Sequence, residues 1–174
     1  ADLTDEYAAI PGEIKKVAEY FGKEVLAEID EADFFAAIPV LREKCGDRAV
    51  MRAVHFYQEN DRVPMQVEAL EQGNFTRFLQ LVNESGRSSY CLLQNVIPTG
   101  AKETQDVALA LALCEKLLEG SGACRVHGGG FAGTVQAFVP NDMVGEFKSK
   151  IEAVLGEGMC HILSIRPVGG YRLV

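Results

Sequence analysis

The chain has 174 residues, 48% of them hydrophobic and 24% charged, with a formal net charge of −8. That length supports one domain, or two very small ones, with a real core. An acidic balance without a basic patch argues against nucleic acid and anionic membranes as partners. No apolar run is long enough to cross a bilayer and no secretory signal is visible at the N-terminus, while scattered cysteines that read as reduced thiols fit a cytoplasmic home. It starts at Ala1 rather than methionine, which predicts a chain processed or cut from something longer.

Taken in order, the first predicted helix begins near Pro11, with Ile14, Val17, Ala18 and Phe21 on one side and Gly22 at its end. Asp30 caps a second helix carrying Phe34, Phe35, Ile38 and Leu41, which Pro39 is expected to kink or restart before Gly46. Helical spacing of Val50, Ala53, Val54, Tyr57, Val67 and Leu70 continues to Gly73, with Pro64 predicting two helices or one bent one. Asn74 caps the next helix, whose face is Phe75, Phe78, Leu79 and Val82. From Gly86 to Ile97 the pattern is ambiguous, although Tyr90, Leu93 and Ile97 would share a helical side.

After the turn Pro98-Thr99-Gly100, residues Thr104 to Glu119 read as a strong helix, apolar around much of its circumference. Ala123 to His127 and Thr134 to Val139 read as strands. Asn141 is then expected to cap a helix ending at Gly156. Cys160 to Arg166 and Tyr171 to Val174 are strand candidates separated by Gly169-Gly170. A helical first half followed by segregated strands predicts an α+β fold with a mostly antiparallel sheet.

Between the central strands, Gly128-Gly129-Gly130-Phe131-Ala132-Gly133 places four glycines in six positions. Glycines suit a backbone that needs φ > 0 or a close approach, and successive N–H groups in such a turn can form an anion-binding nest. The same composition is equally compatible with a flexible hairpin tip that binds nothing. Neither a P-loop lysine nor a helix-opening dinucleotide fingerprint accompanies it.

The rest of the chain is chemically quiet. The five cysteines, Cys45, Cys91, Cys114, Cys124 and Cys160, are scattered and read as reduced, buried structural thiols. His55 reads as a partly buried structural residue and His161 as part of a strand, while His127 adjoins the glycines. Asp30-Glu31 and Glu59-Asn60-Asp61 read as solvated helix ends. The cluster Asn83 to Ser89 reads as a capped turn or a polar wall facing a ligand. No metal site or catalytic triad can be argued from spacing.

Three segments carry a resemblance. Cys124-Arg-Val-His-Gly-Gly-Gly-Phe-Ala-Gly-Thr-Val135 resembles the third signature of the GHMP small-molecule kinases in its galactokinase form. Arg52-Ala-Val-His-Phe-Tyr-Gln-Glu-Asn-Asp-Arg-Val63 resembles that family's Arg-Ala-x-His-x-x-x-Glu-Asn-x-Arg-Val. The stretch from Ala69 to Ser85 is similar to its Ala-Leu-x-x-Gly-Asp-x-x-x-Phe-Gly-x-Leu-Met-x-Glu-Ser. Arg87 and Ser88 match part of the Ser-His-x-Ser region that follows.

The resemblance implies that residues 1–174 are one GHMP-kinase C-terminal domain, an antiparallel, ferredoxin-like sheet with helices packed on it. It implies ATP-dependent phosphorylation of galactose to galactose 1-phosphate, with ATP and Mg²⁺, and partnership with an N-terminal domain. The family's Ser-rich nucleotide loop, catalytic Asp and Gly-Glu-His-Thr-Asp segment do not occur in this chain. No catalytic residue or metal ligand is therefore expected here, and the chain alone is expected to be inactive. By the same resemblance, His127, Gly128, Gly129, Gly130, Phe131, Ala132 and Gly133 would face the nucleotide phosphates, and Tyr7 would lie beside the sugar. His127 and Ala132 depart from the family pattern, which has Thr and Gly there. They leave open a non-catalytic sugar or nucleotide sensor, or a GHMP kinase for another small molecule.

Overall fold

The computed structural model describes residues 3–131, 133–165 and 167–168. Among these residues, six α-helices and one two-stranded antiparallel sheet follow in the order α1 (Thr4–Tyr20), α2 (Glu31–Cys45), α3 (Asp47–Glu71), α4 (Phe75–Ser88), α5 (Asp106–Leu118), β1 (Ala123–His127), β2 (Thr134–Phe138) and α6 (Val144–Leu155). A single π turn, Ser89–Leu93, prolongs α4. The expected α+β class holds, with helices predominating.

Two helix starts were legible because their caps are local. The Asp30 carboxylate accepts from the Ala32 amide at 2.8 Å, and the Asn74 side chain accepts from the Arg77 amide at 3.1 Å. The predicted cap at Asn141 is not used. Met143 precedes α6 without a side-chain cap, because its amide already closes a turn onto the Pro140 carbonyl at 2.9 Å.

Proline did less than expected. Pro11, Pro39 and Pro64 all lie inside continuous helices. The lost hydrogen bond and steric conflict of an interior proline are outweighed by packing on either side. Helix α1 in particular starts at Thr4 because its first turn is held from outside: Glu6 accepts from the Thr99 amide at 2.7 Å and Tyr7 reaches the glycine loop.

The described residues form two apolar cores. The first joins α1, α2 and α3 through Val17, Ala18, Leu26, Phe34, Leu41 and Ala53, with Phe34 fully buried and packed on Tyr57. The second joins α5, β1 and α6 through Leu111, Leu118, Val126, Phe147 and Ile151. Each fully buried side chain of the size of Phe34 or Leu41 contributes about 1.5–3 kcal/mol.

A polar seam joins the two, where α4 lies against β1. Gly86 permits that approach, since a Cβ there would stand 3.0 Å from the Cys124 carbonyl oxygen. Asn83 completes it, accepting from the Cys124 amide at 3.0 Å and donating to the Gly122 carbonyl at 3.3 Å.

Strands β1 and β2 pair in the register Ala123 with Phe138 through His127 with Thr134. The third strand expected over 160–166 is absent among the described residues 160–165. Side chains of α6 take its backbone instead: Lys148 donates to the Cys160 carbonyl at 3.0 Å, and the Glu152 carboxylate accepts from the Gly158 and Cys160 amides. His161 is accordingly exposed and outside any strand. The candidate strand Tyr171–Val174 and residue Arg166 lie outside the described residues.

The cysteines are all free, but only Cys114 and Cys124 are buried; Cys45 and Cys160 are half-buried and Cys91 is exposed on the π turn. Among the described residues, no helix is long and apolar enough to cross a membrane.

Candidate functional site: a glycine loop held from beneath

The glycine loop connects β1 to β2 and divides into an exposed and an anchored part. His127, Gly128, Gly129 and Gly133 are exposed, whereas Gly130 and Phe131 are buried. The anchored part is moulded on Asn95. The Phe131 amide donates to the Asn95 carbonyl at 2.6 Å, and the Asn95 side chain donates to the Gly129 carbonyl at 3.4 Å. Gly130 has φ +85°, and a Cβ there would overlap the Asn95 carbonyl oxygen. Only glycine fits. Phe131 itself sits at φ +52°, an uncommon conformation for an aromatic residue.

From the other side, Tyr7 of α1 donates its hydroxyl to the Gly130 carbonyl at 2.8 Å, a contact across 123 positions of chain. Its ring meets Phe131 edge to face at 5.3 Å and lies against Gly129. The two regions singled out by resemblance, Tyr7 and the loop, are thus one cluster. Not every loop amide points outward, however. Those of Phe131 and Gly133 donate to Asn95 and Gly130 carbonyls within the protein. Of the seven loop residues expected to face phosphates, Ala132 lies outside the described residues.

Beneath the loop, the segment beginning at Arg52 proves structural. Arg52 is fully buried; its guanidinium donates to the Leu93 carbonyl at 3.0 Å and to Glu13 at 2.8 Å. Arg48 also bonds Glu13, at 2.5 Å. Burial alone would raise the Glu13 carboxyl, but the hydrogen bonds and charges of Arg48 and Arg52 outweigh it and hold it below the usual range. Leu93 ends the π turn, and Gln94 then takes a left-handed conformation (φ 56°, ψ 49°) that delivers Asn95 to the loop. The path from Glu13 through Arg52 and Leu93 to Asn95 is therefore continuous.

A second web fixes β1. Glu59, expected at a solvated helix end, lies inside α3 and pairs with Arg62. It also accepts from the Ser85 hydroxyl at 2.6 Å and stands 3.7 Å from Arg125 of β1. Arg125 in turn donates to Ser85, and to Ser89 at 3.4 Å. The cluster Asn83 to Ser89 is thus neither a turn nor a ligand wall among its buried members: Ser85, Ser88 and Ser89 bond inward.

His55 is buried against Ser88, with Nδ1 and the hydroxyl 2.9 Å apart. Burial, then the charges of Arg125 and Arg62, push its pKa down to about 4. The imidazole stays neutral in the fold, while in the unfolded chain it protonates near 6.5. The stabilisation is complete above the unfolded value and is lost as pH falls from there towards 4, about 3 kcal/mol in all. Urea unfolding at about pH 7 and about pH 4.5 should show this loss. A His55→Gln variant should lose less over the same interval, whatever Glu13 and the other carboxylates contribute to both proteins.

Two open surface concavities, of about 550 and 400 Å³, lie elsewhere, around Arg42–Asp47 and around Lys102–Leu109. Neither includes the glycine loop. Among the described residues no group of three or more His, Cys, Asp or Glu side chains could hold a metal ion.

The fold superposes on that of Lactococcus lactis galactokinase complexed with galactose with a TM-score of 0.65 and 24% identity, covering 90% of this chain and 38% of that one. The chain is also similar in sequence to galactokinases. That of Glaesserella parasuis serovar 5 is 28% identical over 142 residues, 82% of this chain and 35% of the relative. That of Mannheimia succiniciproducens is 28% identical over 149 residues, 86% and 37% respectively. No family model matches. The galactokinase resemblance read from the three segments is borne out, and the chain spans about a third of the length of the relatives it matches.

Proposed function

We propose that these residues form the C-terminal domain of a galactokinase-type sugar kinase, which transfers the γ-phosphoryl group of ATP to galactose and yields galactose 1-phosphate. The observation that carries this reading is the Tyr7–Gly130 contact, which joins the residue assigned to the sugar and the loop assigned to the phosphates. In such a transfer the sugar hydroxyl oxygen bonds to the γ-phosphorus as the bond to the ADP oxygen breaks, and the hydroxyl proton leaves to a base. Positioning and charge stabilisation supply most of the catalysis.

The exposed part of the loop suits the phosphates. Gly128 has nothing within 4 Å of the place a Cβ would occupy, so an anion can approach its backbone closely. We assign the phosphate side to His127, Gly128, Gly129 and Gly133, the last offering an exposed surface but not its amide, which is bonded to the Gly130 carbonyl. Gly130 and Phe131 act as the anchor behind them. The described residues include no cluster of three or more His, Cys, Asp or Glu side chains, so Mg²⁺ would be held by the nucleotide phosphates and by groups of an N-terminal domain. The base and the nucleotide-binding Ser-rich loop would come from an N-terminal domain, in a cytoplasmic enzyme.

The test is turnover. Residues 1–174 alone should form no galactose 1-phosphate from ATP and galactose, and addition of the complementary N-terminal half should restore it. Turnover by this chain alone would overturn the division of labour. Nucleotide or sugar binding without turnover by the whole polypeptide would point to a sensor, and turnover with a different acceptor to another small-molecule kinase.

A further inference from the structure

Three unusual features converge at one place. Phe131 is held at positive φ, Gly130 is moulded over a backbone oxygen, and Asn95, 2% exposed, keeps its side-chain Oδ1 buried with no donor among the described residues. A buried acceptor without a donor is destabilising, so an apolar residue at position 95 would suit the free fold at least as well. Among the described residues, the one hydrogen bond its side chain makes reaches the Gly129 carbonyl. That bond turns the Gly129 carbonyl down towards the protein, away from the exposed face where an anion would sit. Left unheld, that carbonyl could swing outward and present a partial negative charge to the phosphates.

We propose that Asn95 is a positioning residue of the anion loop, whose side-chain amide keeps the Gly129 carbonyl turned away from the phosphates and the neighbouring amides directed at them. The ligand part of this rests on the kinase reading above; the loop part does not.

The experiment compares wild-type protein with Asn95→Ala and the isosteric Asn95→Asp, in the whole natural polypeptide. Amide hydrogen exchange of Phe131 and Gly133, the loop amides bonded within the protein, is followed without ligand, urea midpoints are recorded, and calorimetry gives affinities for a non-hydrolysable Mg–ATP analogue and for galactose. In both variants exchange at these two amides should quicken and nucleotide affinity should fall by about tenfold or more, while galactose affinity stays within about twofold. The urea midpoint of Asn95→Ala should not fall, an outcome opposite to that of an ordinary packing residue. Unchanged exchange in both variants overturns the proposal. So does loss of cooperative unfolding in both, which would make Asn95 a core residue. If wild-type protein binds no nucleotide yet the loop exchange responds in the variants, the kinase reading fails and the role of Asn95 in shaping the loop stands.

Discussion

Replacing Arg52 with alanine should lower stability by about 3–5 kcal/mol, the cost expected when one partner of a buried ion pair is removed. For a chain of this size that corresponds to a fall in Tm of roughly 10 °C. The guanidinium is buried between Glu13 of α1 and the Leu93 carbonyl at the end of the π turn. Its loss leaves a carboxylate only partly matched by Arg48 and a carbonyl without that donor. The effect should spread upward, since Leu93 leads through Gln94 to Asn95 and so to Phe131. A double variant, Arg52→Met with Glu13→Leu, should recover much of the loss, because apolar replacement of both partners removes the unpaired charge. Thermal and urea unfolding of the single and double variants check this. A single variant within about 0.5 kcal/mol of wild type would contradict the assignment.

Gly130→Val should leave the domain folded but displace the loop. The left-handed backbone at φ +85° costs a side chain about 1–2 kcal/mol. The Asn95 carbonyl then leaves no room for the new Cβ, and backbone cannot move aside as a flexible side chain would. The Tyr7 hydroxyl bond and the Phe131 amide bond should be lost together. On the proposed kinase reading, phosphate transfer by the whole polypeptide should fall below detection, with little change in far-UV circular dichroism. Gly128→Ala provides the contrast: it shares the positive φ, at 70°, but meets nothing within 4 Å. It should cost only the backbone strain, about 1 kcal/mol, and retain the anchor.

The features legible from sequence are those written over a few residues. Asp30 and Asn74 satisfy amides two and three positions away, so their caps could be read directly. The glycine hairpin was likewise flanked by residues that suit strands. What sequence pattern misled on was decided by distant contacts. Pro11 looked like a helix start, yet Glu6 and Tyr7 are held by Thr99 and Gly130, far along the chain. Glu59 looked solvated because its partners Ser85 and Arg125 lie 26 and 66 positions away.

Asn95 gave no local signal at all. It lies in an unremarkable stretch after an irregular turn, and its importance comes from a carbonyl and an amide that meet the loop in space. Only the positive φ at Gly130 could have hinted that something lay close beneath, and φ is not visible in a sequence. The apolar run over 160–165 suggested a strand, but Lys148 and Glu152 engage the backbone where pairing would have begun.

The most direct measurement is a titration of the isotopically labelled whole polypeptide with a non-hydrolysable Mg–ATP analogue, following backbone amide resonances. The amides of Gly128, Gly129 and Gly133 should shift on binding, while those of the remote concavity around Gly46 and Asp47 stay still. Saturating nucleotide binding that leaves the three glycine resonances unmoved would contradict the placement of this loop against phosphate.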